Sequence, residues 1–270
     1  DKANLKQGPI YCSMLKQFAA NPYALLRAEP FKPTAAMQLG SLIDAAVTEP
    51  DRLEDLVAIS PYDSFRTKEA KAWKAEQETA GRLITAPESL ENARKCREAV
   101  MSHKVAGPIL EASSCQVGAV ADFGGIPAKC LVDIVPDRGT EWEETLFDLK
   151  TTSTGLDDES IRKTISNFRY HWQAAFYRAV WNKASDDRHC ENFGFIFLDP
   201  STREVRVVIL DDDSMLLGQR CVKQALFEFA RASEYGIKSR YATKPATLGV
   251  MPYQAMNEED WLIANENEES

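Results

Sequence analysis

Asp133 ends the apolar run Cys130-Leu-Val-Asp133, and after fourteen intervening residues Asp148-Leu149-Lys150 lies inside the next run, Thr145-Leu-Phe-Asp-Leu-Lys-Thr151. Alternate side chains of a strand share a face, so Asp148 and Lys150 point one way and Leu149 the other, into a core. If the strand of Asp133 lies alongside, two carboxylates and an ammonium converge. Carboxylate and carbonyl oxygens are the hard ligands that Mg²⁺ or Mn²⁺ accepts, and a lysine beside them can orient or deprotonate a water and offset charge on a reacting phosphate. Such a set suits metal-dependent phosphodiester hydrolysis. The bare pattern also occurs as a solvated Asp-x-Lys pair on edge strands, so spacing alone leaves both readings open.

The segment Phe168-Arg-Tyr-His-Trp-Gln-Ala-Ala-Phe-Tyr177 follows the Asp-x-Lys strand. Gln173 and Tyr177 are four apart and share one helix face, which can be aimed at that strand. Trp172 and Phe176 read as core packing. Basic residues gather elsewhere: Arg66 and Lys68, then Lys71 and Lys74, and Arg162-Lys163 ahead of the Gln173 segment. They fit phosphate contact or an ordinary solvated helix face equally well.

The elements that must position these groups change character near Cys115. Before it the chain is mostly helical. Ser13 is the expected N-cap of a short helix that Asn21-Pro22 interrupts, Ala36 to Val47 is amphipathic up to Glu49-Pro50, and 66–80 and 87–103 are charged amphipathic helices. From Cys115 two strands join through Phe123-Gly-Gly-Ile-Pro, and a third covers 145–151. A long helix is expected over 158–184, a β pair at Glu191–Leu198 and Glu204–Leu210, and a last helix over 211–236 with Leu216, Leu217, Val222, Ala225, Leu226 and Phe229 facing the core. The order helices, ββ, β, α, ββ, α predicts a mixed central sheet flanked by helices, α/β or α+β, in one domain. Its parts are a helical front (1–112), a core (113–236) and an acidic extension (237–270).

At 270 residues, 44% hydrophobic and 27% charged, with mean hydropathy −0.35, the chain is long enough for a substantial core and is neither fibrous nor disordered. No stretch approaches the length a bilayer span needs, and no basic-then-apolar leader opens it, so a cytoplasmic protein is expected; the start at Asp1 suggests a trimmed or partial chain. Six scattered cysteines without a C-x-x-C pair argue against zinc ribbons and iron–sulfur clusters, and read as small hydrophobes of a reduced interior. The three histidines form no i, i+4 pair. The net charge of −9 speaks against a protein that coats DNA. However, six acids lie in the last thirteen positions with no Lys or Arg among them, so residues 1–257 carry only −3, and an enzyme acting on DNA ends remains open.

Four segments together resemble the RecE (exonuclease VIII) type of PD-(D/E)XK exonuclease. They are Leu39-Gly-Ser-Leu-Ile-Asp-Ala-Ala-Val-Thr-Glu-Pro50, Cys130-Leu-Val-Asp133, Asp148-Leu-Lys-Thr-Thr152 and Arg169-Tyr-His-x-Gln-x-Ala-Phe-Tyr177, in the family order from about residue 13 to 210. The resemblance implies that Asp133 and Asp148, with the backbone carbonyl of Leu149, hold a catalytic Mg²⁺, with Mn²⁺ as substitute, and that Lys150 is the motif lysine. Gln173 and Tyr177 match the Q-x-x-x-Y motif that supports the site and contacts DNA. Two positions depart from the family. Asp44 stands where its Gly-x-x-x-His helix places a histidine ligand, and serves either as a hard-metal ligand or as a solvated helix residue. Gln116 stands where a first-strand Glu is expected, and a neutral amide cannot act as a base.

The resemblance further implies digestion of linear duplex DNA from an end, 5′→3′, leaving a 3′ single-stranded tail. It also implies a toroidal homo-oligomer (trimer or tetramer) and a RecT-like single-strand annealing partner. Two other readings stand beside it. One is a nuclease-fold DNA-end-binding protein weakened at Gln116 and Asp44; the other is a metal-independent enzyme whose paired carboxylates act on a glycoside, for which no motif speaks.

Overall fold

A computed structural model describes residues 8–27, 33–237 and 256. The chain divides into a body, 1–236, and a second unit, 237–270, so nearly all of the expected acidic extension lies outside the described residues. The front part contains α1 (Cys12–Ala20), a 3₁₀ segment at Pro22–Arg27, α2 (Ala35–Thr48), the single turn α3 (Leu53–Leu56), α4 (Lys68–Thr79), α5 (Pro87–Ser102) and α6 (Ala106–Glu111). Two three-residue strands, β1 (Val57–Ile59) and β2 (Leu83–Thr85), pair in parallel around α4. Three residues are too few for alternation to show, which is why the sequence does not reveal them.

The central sheet has the order β3-β4-β5-β6-β7, from β3 (Ser113–Asp122), β4 (Pro127–Pro136), β5 (Thr145–Thr151), β6 (Asn192–Leu198) and β7 (Val205–Ile209). All neighbours are antiparallel except β5 and β6, whose parallel pairing is made possible by the crossover α7 (Asp158–Asn167) and α8 (Tyr170–Ala184). Gly124 and Gly125 take φ of 66° and 86° between β3 and β4, the left-handed pair that a tight hairpin requires. The last helix is α9 (Asp212–Tyr235). The expected α/β sheet with flanking helices is the observed one.

Each face of the sheet is covered. On one, Leu42, Ile43, Ala46 and Val47 of α2 and Leu90, Ala93, Cys96 and Val100 of α5 pack on Phe147, Leu149, Ile196 and Leu198. On the other, Phe193, Phe195 and Phe197 form a ladder of rings met by Tyr170 and Tyr177 of α8. α9 backs α8, and Phe18 of α1 meets Phe229 of α9 edge to face at 5.2 Å. Among the described residues no helix is long and apolar enough to cross a membrane.

Several expectations need correction. The helix expected over 158–184 is broken at Phe168 and Arg169, because Arg169 adopts the left-handed conformation (φ 51°, ψ 48°) and starts α8 in a new direction. α1 begins at Cys12 behind Tyr11, without a side-chain cap, so Ser13 is not its N-cap. On α9 the inward stripe is Met215, Gly218, Val222, Ala225, Phe229 and Ala232; Leu216 and Leu217 are exposed. Gly218 sits in that stripe because any Cβ there would meet the His171 carbonyl oxygen at 2.2 Å. Trp172 is half-buried rather than core, with the Arg169 guanidinium over its ring.

Gly194 of β6 lies directly opposite Phe147, and a Cβ there would stand 2.4 Å from that ring and 2.9 Å from Ile209 Cδ1. Gly194→Ala is therefore expected to lower stability by about 1–3 kcal/mol through overpacking, seen as a fall in the calorimetric Tm.

Candidate active site

β4 and β5 are paired only at Ile134 and Phe147 and then part. The Leu149 N–H, which a continued ladder would have engaged, instead donates to Asp133 Oδ2 at 3.0 Å. Farther along the same edge of β4, Ile10 forms a parallel bridge to Ala128, its N–H donating to the Pro127 carbonyl and its carbonyl accepting from the Lys129 N–H, each at 2.8 Å. The gap so bounded is where the polar side chains collect.

Asp148 and Lys150 do share a face of β5, as alternation requires, while Leu149 joins the core beneath α2 and α5. β5 is an interior strand, and the Asp148 side chain is only 2% exposed, which removes the solvated edge-pair reading. Lys150 Nζ forms an ion pair with Asp148 Oδ2, and Gln173 Nε2 donates to Asp148 Oδ1 at 2.5 Å. Tyr177, one turn beyond Gln173, is edge-on to Phe193. Burial, with Asp148 and Asp133 nearby, holds its hydroxyl well above the usual tyrosine range.

Asp44 reaches the gap from α2. A Cβ on Gly40 would be 3.1 Å from Thr151 Oγ1, so glycine lets α2 lie close against the end of β5, and Asp44 follows one turn later. Gln116 Nε2 donates to Asp44 Oδ2 at 3.2 Å and to Thr48 Oγ1 at 3.0 Å, while Asp44 Oδ1 is buried without a partner. Asp44 is thus a part of the site and not a solvated helix residue. Gln116 sits in β3 across from Asp133 with φ of 54°, between the regular pairs Cys115–Ile134 and Val117–Val132. A left-handed non-glycine residue inside a strand is strained, and here it aims the amide at α2.

The electrostatics follow from crowding. Burial, then Asp148 and Asp44, push Asp133 well above the carboxylate range. Burial and Asp148 raise Asp44 to about 7 against the opposing effects of Lys150 and Gln116. Burial alone would lower Lys150, but Asp148 and Asp133 outweigh it and hold the ammonium charged above its ordinary pKa. Asp133 and Asp44 thus hold protons that a cation could displace, and Asp44 Oδ1 is buried without a partner. That donor set fits a hard divalent cation, although among the described residues no three such side chains already stand in a ready ligand cluster.

Residues not singled out from sequence also border the gap. Tyr170 places its ring 4.9 Å from Lys150 Nζ and 5.8 Å from Lys16 Nζ. Lys16 comes from α1, and nothing in the sequence links it to a strand over 130 residues later. Arg66 and Lys68 are not brought here; they flank the start of α4, whose only buried residue is Ala70, and Lys74 pairs with Glu78. Lys163 pairs with Glu159 on its own helix, a solvated face.

With this geometry in place, the comparison with known families is decisive. Residues 12–235 match the PDDEXK-like domain of unknown function DUF3799. The chain belongs to this family. The PDDEXK-like assignment agrees with the RecE-type resemblance of its four segments. Among solved structures, the DUF3799 fold resembles that of a candidate exonuclease from Eubacterium rectale, at 15% identity over 91% of this chain and 92% of that one, with a TM-score of 0.58. A phage-related exonuclease from Haemophilus somnus 129PT is 16% identical over 85% and 96% of the two chains, with a TM-score of 0.37. No curated protein sequence matches the chain. At 15% identity the likeness to the Eubacterium rectale structure is one of fold alone.

Raising Asp44 from 3.8 to about 7 means that folding favours its neutral form, a stabilisation fully present below pH 3.8 and lost as pH rises through 7. In divalent-free buffer, Asp44→Asn is expected to raise Tm at pH 8 and to give almost no gain at pH 4, read by thermal shift at the two pH values.

Proposed function

We propose that this DUF3799 domain is a metal-dependent exodeoxyribonuclease acting on linear double-stranded DNA. The observation that carries the reading is the meeting of Asp44, Asp133, Asp148, Lys150 and Gln173, drawn from α2, β4, β5 and α8, at the gap between two strands of a PDDEXK-like sheet. Asp133, Asp148, Asp44 and the Leu149 carbonyl would hold Mg²⁺, or Mn²⁺ in its place; when bound, the ion supplies Lewis acidity and an activated water.

The chain's own groups divide the remaining tasks. Lys150, kept protonated by Asp148 and Asp133, offsets charge on the reacting phosphate and is not the base. Asp44, with its unbonded Oδ1, keeps the ligand role alone: a bound dication favours the carboxylate form, so the raised pKa of the metal-free site does not make it the base. Gln173 fixes the rotamer of Asp148, and Tyr177, one turn on, packs edge-on against Phe193. Digestion 5′→3′ with a 3′ tail, a toroidal homo-oligomer, a RecT-like annealing partner and a cytoplasmic setting belong to the same proposal, on the strength of the RecE resemblance. So does phosphate contact by Arg66 and Lys68 at a distance from the chemistry. The neutral, strained Gln116 favours one alternative, a DNA-end-binding protein of reduced turnover.

End-labelled linear duplex, with 5′ or 3′ label and with or without Mg²⁺, tests these readings together. Metal-dependent loss of 5′ label is expected first, and Lys150→Ala is expected to slow cleavage by about 10²–10³-fold. Unimpaired digestion by that variant would overturn the assigned mechanism, and tight end binding without product at any Mg²⁺ or Mn²⁺ concentration would favour the alternative.

A further inference from the structure

The break between α7 and α8 leaves Phe168 61% exposed, one ring out from Tyr170, whose own ring borders Lys150. Its ring is not loose. It stacks on Tyr170 at 5.5 Å and 19°, and Tyr170 stacks in turn on Phe195 at 5.5 Å and 30°, so three rings form a column rooted in the sheet with its outermost face open. The backbone beneath is held on both sides. The Phe168 N–H donates to the Thr164 carbonyl at 3.1 Å, and its carbonyl accepts from Lys16 Nζ at 2.9 Å. The next residue, Arg169, is left-handed and rests its guanidinium 5.3 Å from the Trp172 ring. Core packing does not account for this arrangement, since a ring serving the core would turn inward.

The surroundings point to a ligand. Lys150 is 4.9 Å from the Tyr170 ring that supports Phe168, so the open ring lies one ring removed from the ammonium assigned to the reacting phosphate. Lys16 and Arg169 flank it with positive charge, and besides burial it is these two cations that keep His171 less easily protonated than usual. A single flat ring between cations, beside a phosphodiester site, matches a nucleobase with its phosphate. A protein or lipid surface would call for a broader apolar patch. Because the column already fixes the ring, stacking on it costs little side-chain entropy.

We propose that Phe168 is the outer face of a base-stacking platform, backed by Tyr170 and Phe195 and flanked by Lys16 and Arg169, that takes the terminal base of the strand presented to the Asp133–Asp148–Lys150 site. This rests on the nuclease reading and adds to it the element that seats the strand end. A duplex carrying 2-aminopurine at its terminal position reports the contact, because stacking quenches its fluorescence. Binding is followed in divalent-free buffer, and Mg²⁺-dependent hydrolysis of the same duplex is followed in parallel.

Wild-type protein is expected to quench the probe. Phe168→Ala is expected to lose the quenching and bind the end about tenfold more weakly, while Phe168→Trp retains both. Thermal unfolding of the variants confirms that the exposed position leaves the fold intact. Equal quenching by wild type and Phe168→Ala overturns the platform and leaves the nuclease reading in place. Loss of quenching in Phe168→Ala, with no hydrolysis by wild type at any Mg²⁺ or Mn²⁺ concentration, upholds the platform and sinks the nuclease reading. Absence of both quenching and hydrolysis in the wild type overturns both.

Discussion

Asp44, Asp133 and Asp148 are crowded against a single ammonium, Lys150, largely out of solvent, and elements from both ends of the body hold them there. Like charges so placed repel, and two of the acids respond by holding their protons more tightly. The fold tolerates the arrangement because each group is also tied to something rigid: Asp133 to the Leu149 N–H, Asp148 to Gln173 and Lys150, and Asp44 to Gln116. Crowding of this kind costs stability, as the raised carboxyls of Asp44 and Asp133 record.

The same constraint explains where the sheet departs from regularity. β4 and β5 separate after one pair because side chains, not backbone, fill the space between them. Gln116 leaves the ordinary strand conformation opposite Asp133 because its amide must reach across to α2. Gly40 is small because α2 has to lie on Thr151 for Asp44 to arrive at all.

The parts of this that sequence disclosed are those that strand and helix periodicity encode. Alternation placed Asp148 and Lys150 together and sent Leu149 inward, and the i, i+4 spacing put Gln173 and Tyr177 on one face. That Asp44 faces the gap follows only from its hydrogen bond to Gln116 and from Gly40 seating α2 on Thr151, which no periodicity encodes. The turn at Arg169 was illegible because arginine carries no left-handed preference; glycine or asparagine would have marked it. On α9, leucine identity misled: Leu216 and Leu217 point outward, and the stripe passes through Gly218, which looks neutral in any hydrophobic pattern. Lys16 and Tyr170 join the site only through tertiary packing, and Arg66 and Lys68 were grouped by charge although folding sets them apart from it.

Ile10 covers the stretch of the β4 edge that β5 does not. An unpaired strand edge is a template for another chain, and the one-residue bridge blocks it with two backbone hydrogen bonds and a side chain that is 1% exposed. The segment leading into α1 is therefore a guard on self-association as well as the support that carries Lys16 to the gap. A chain cut to begin after residue 10 would bare that edge beside an intact set of acids, and its first symptom would be loss of solubility.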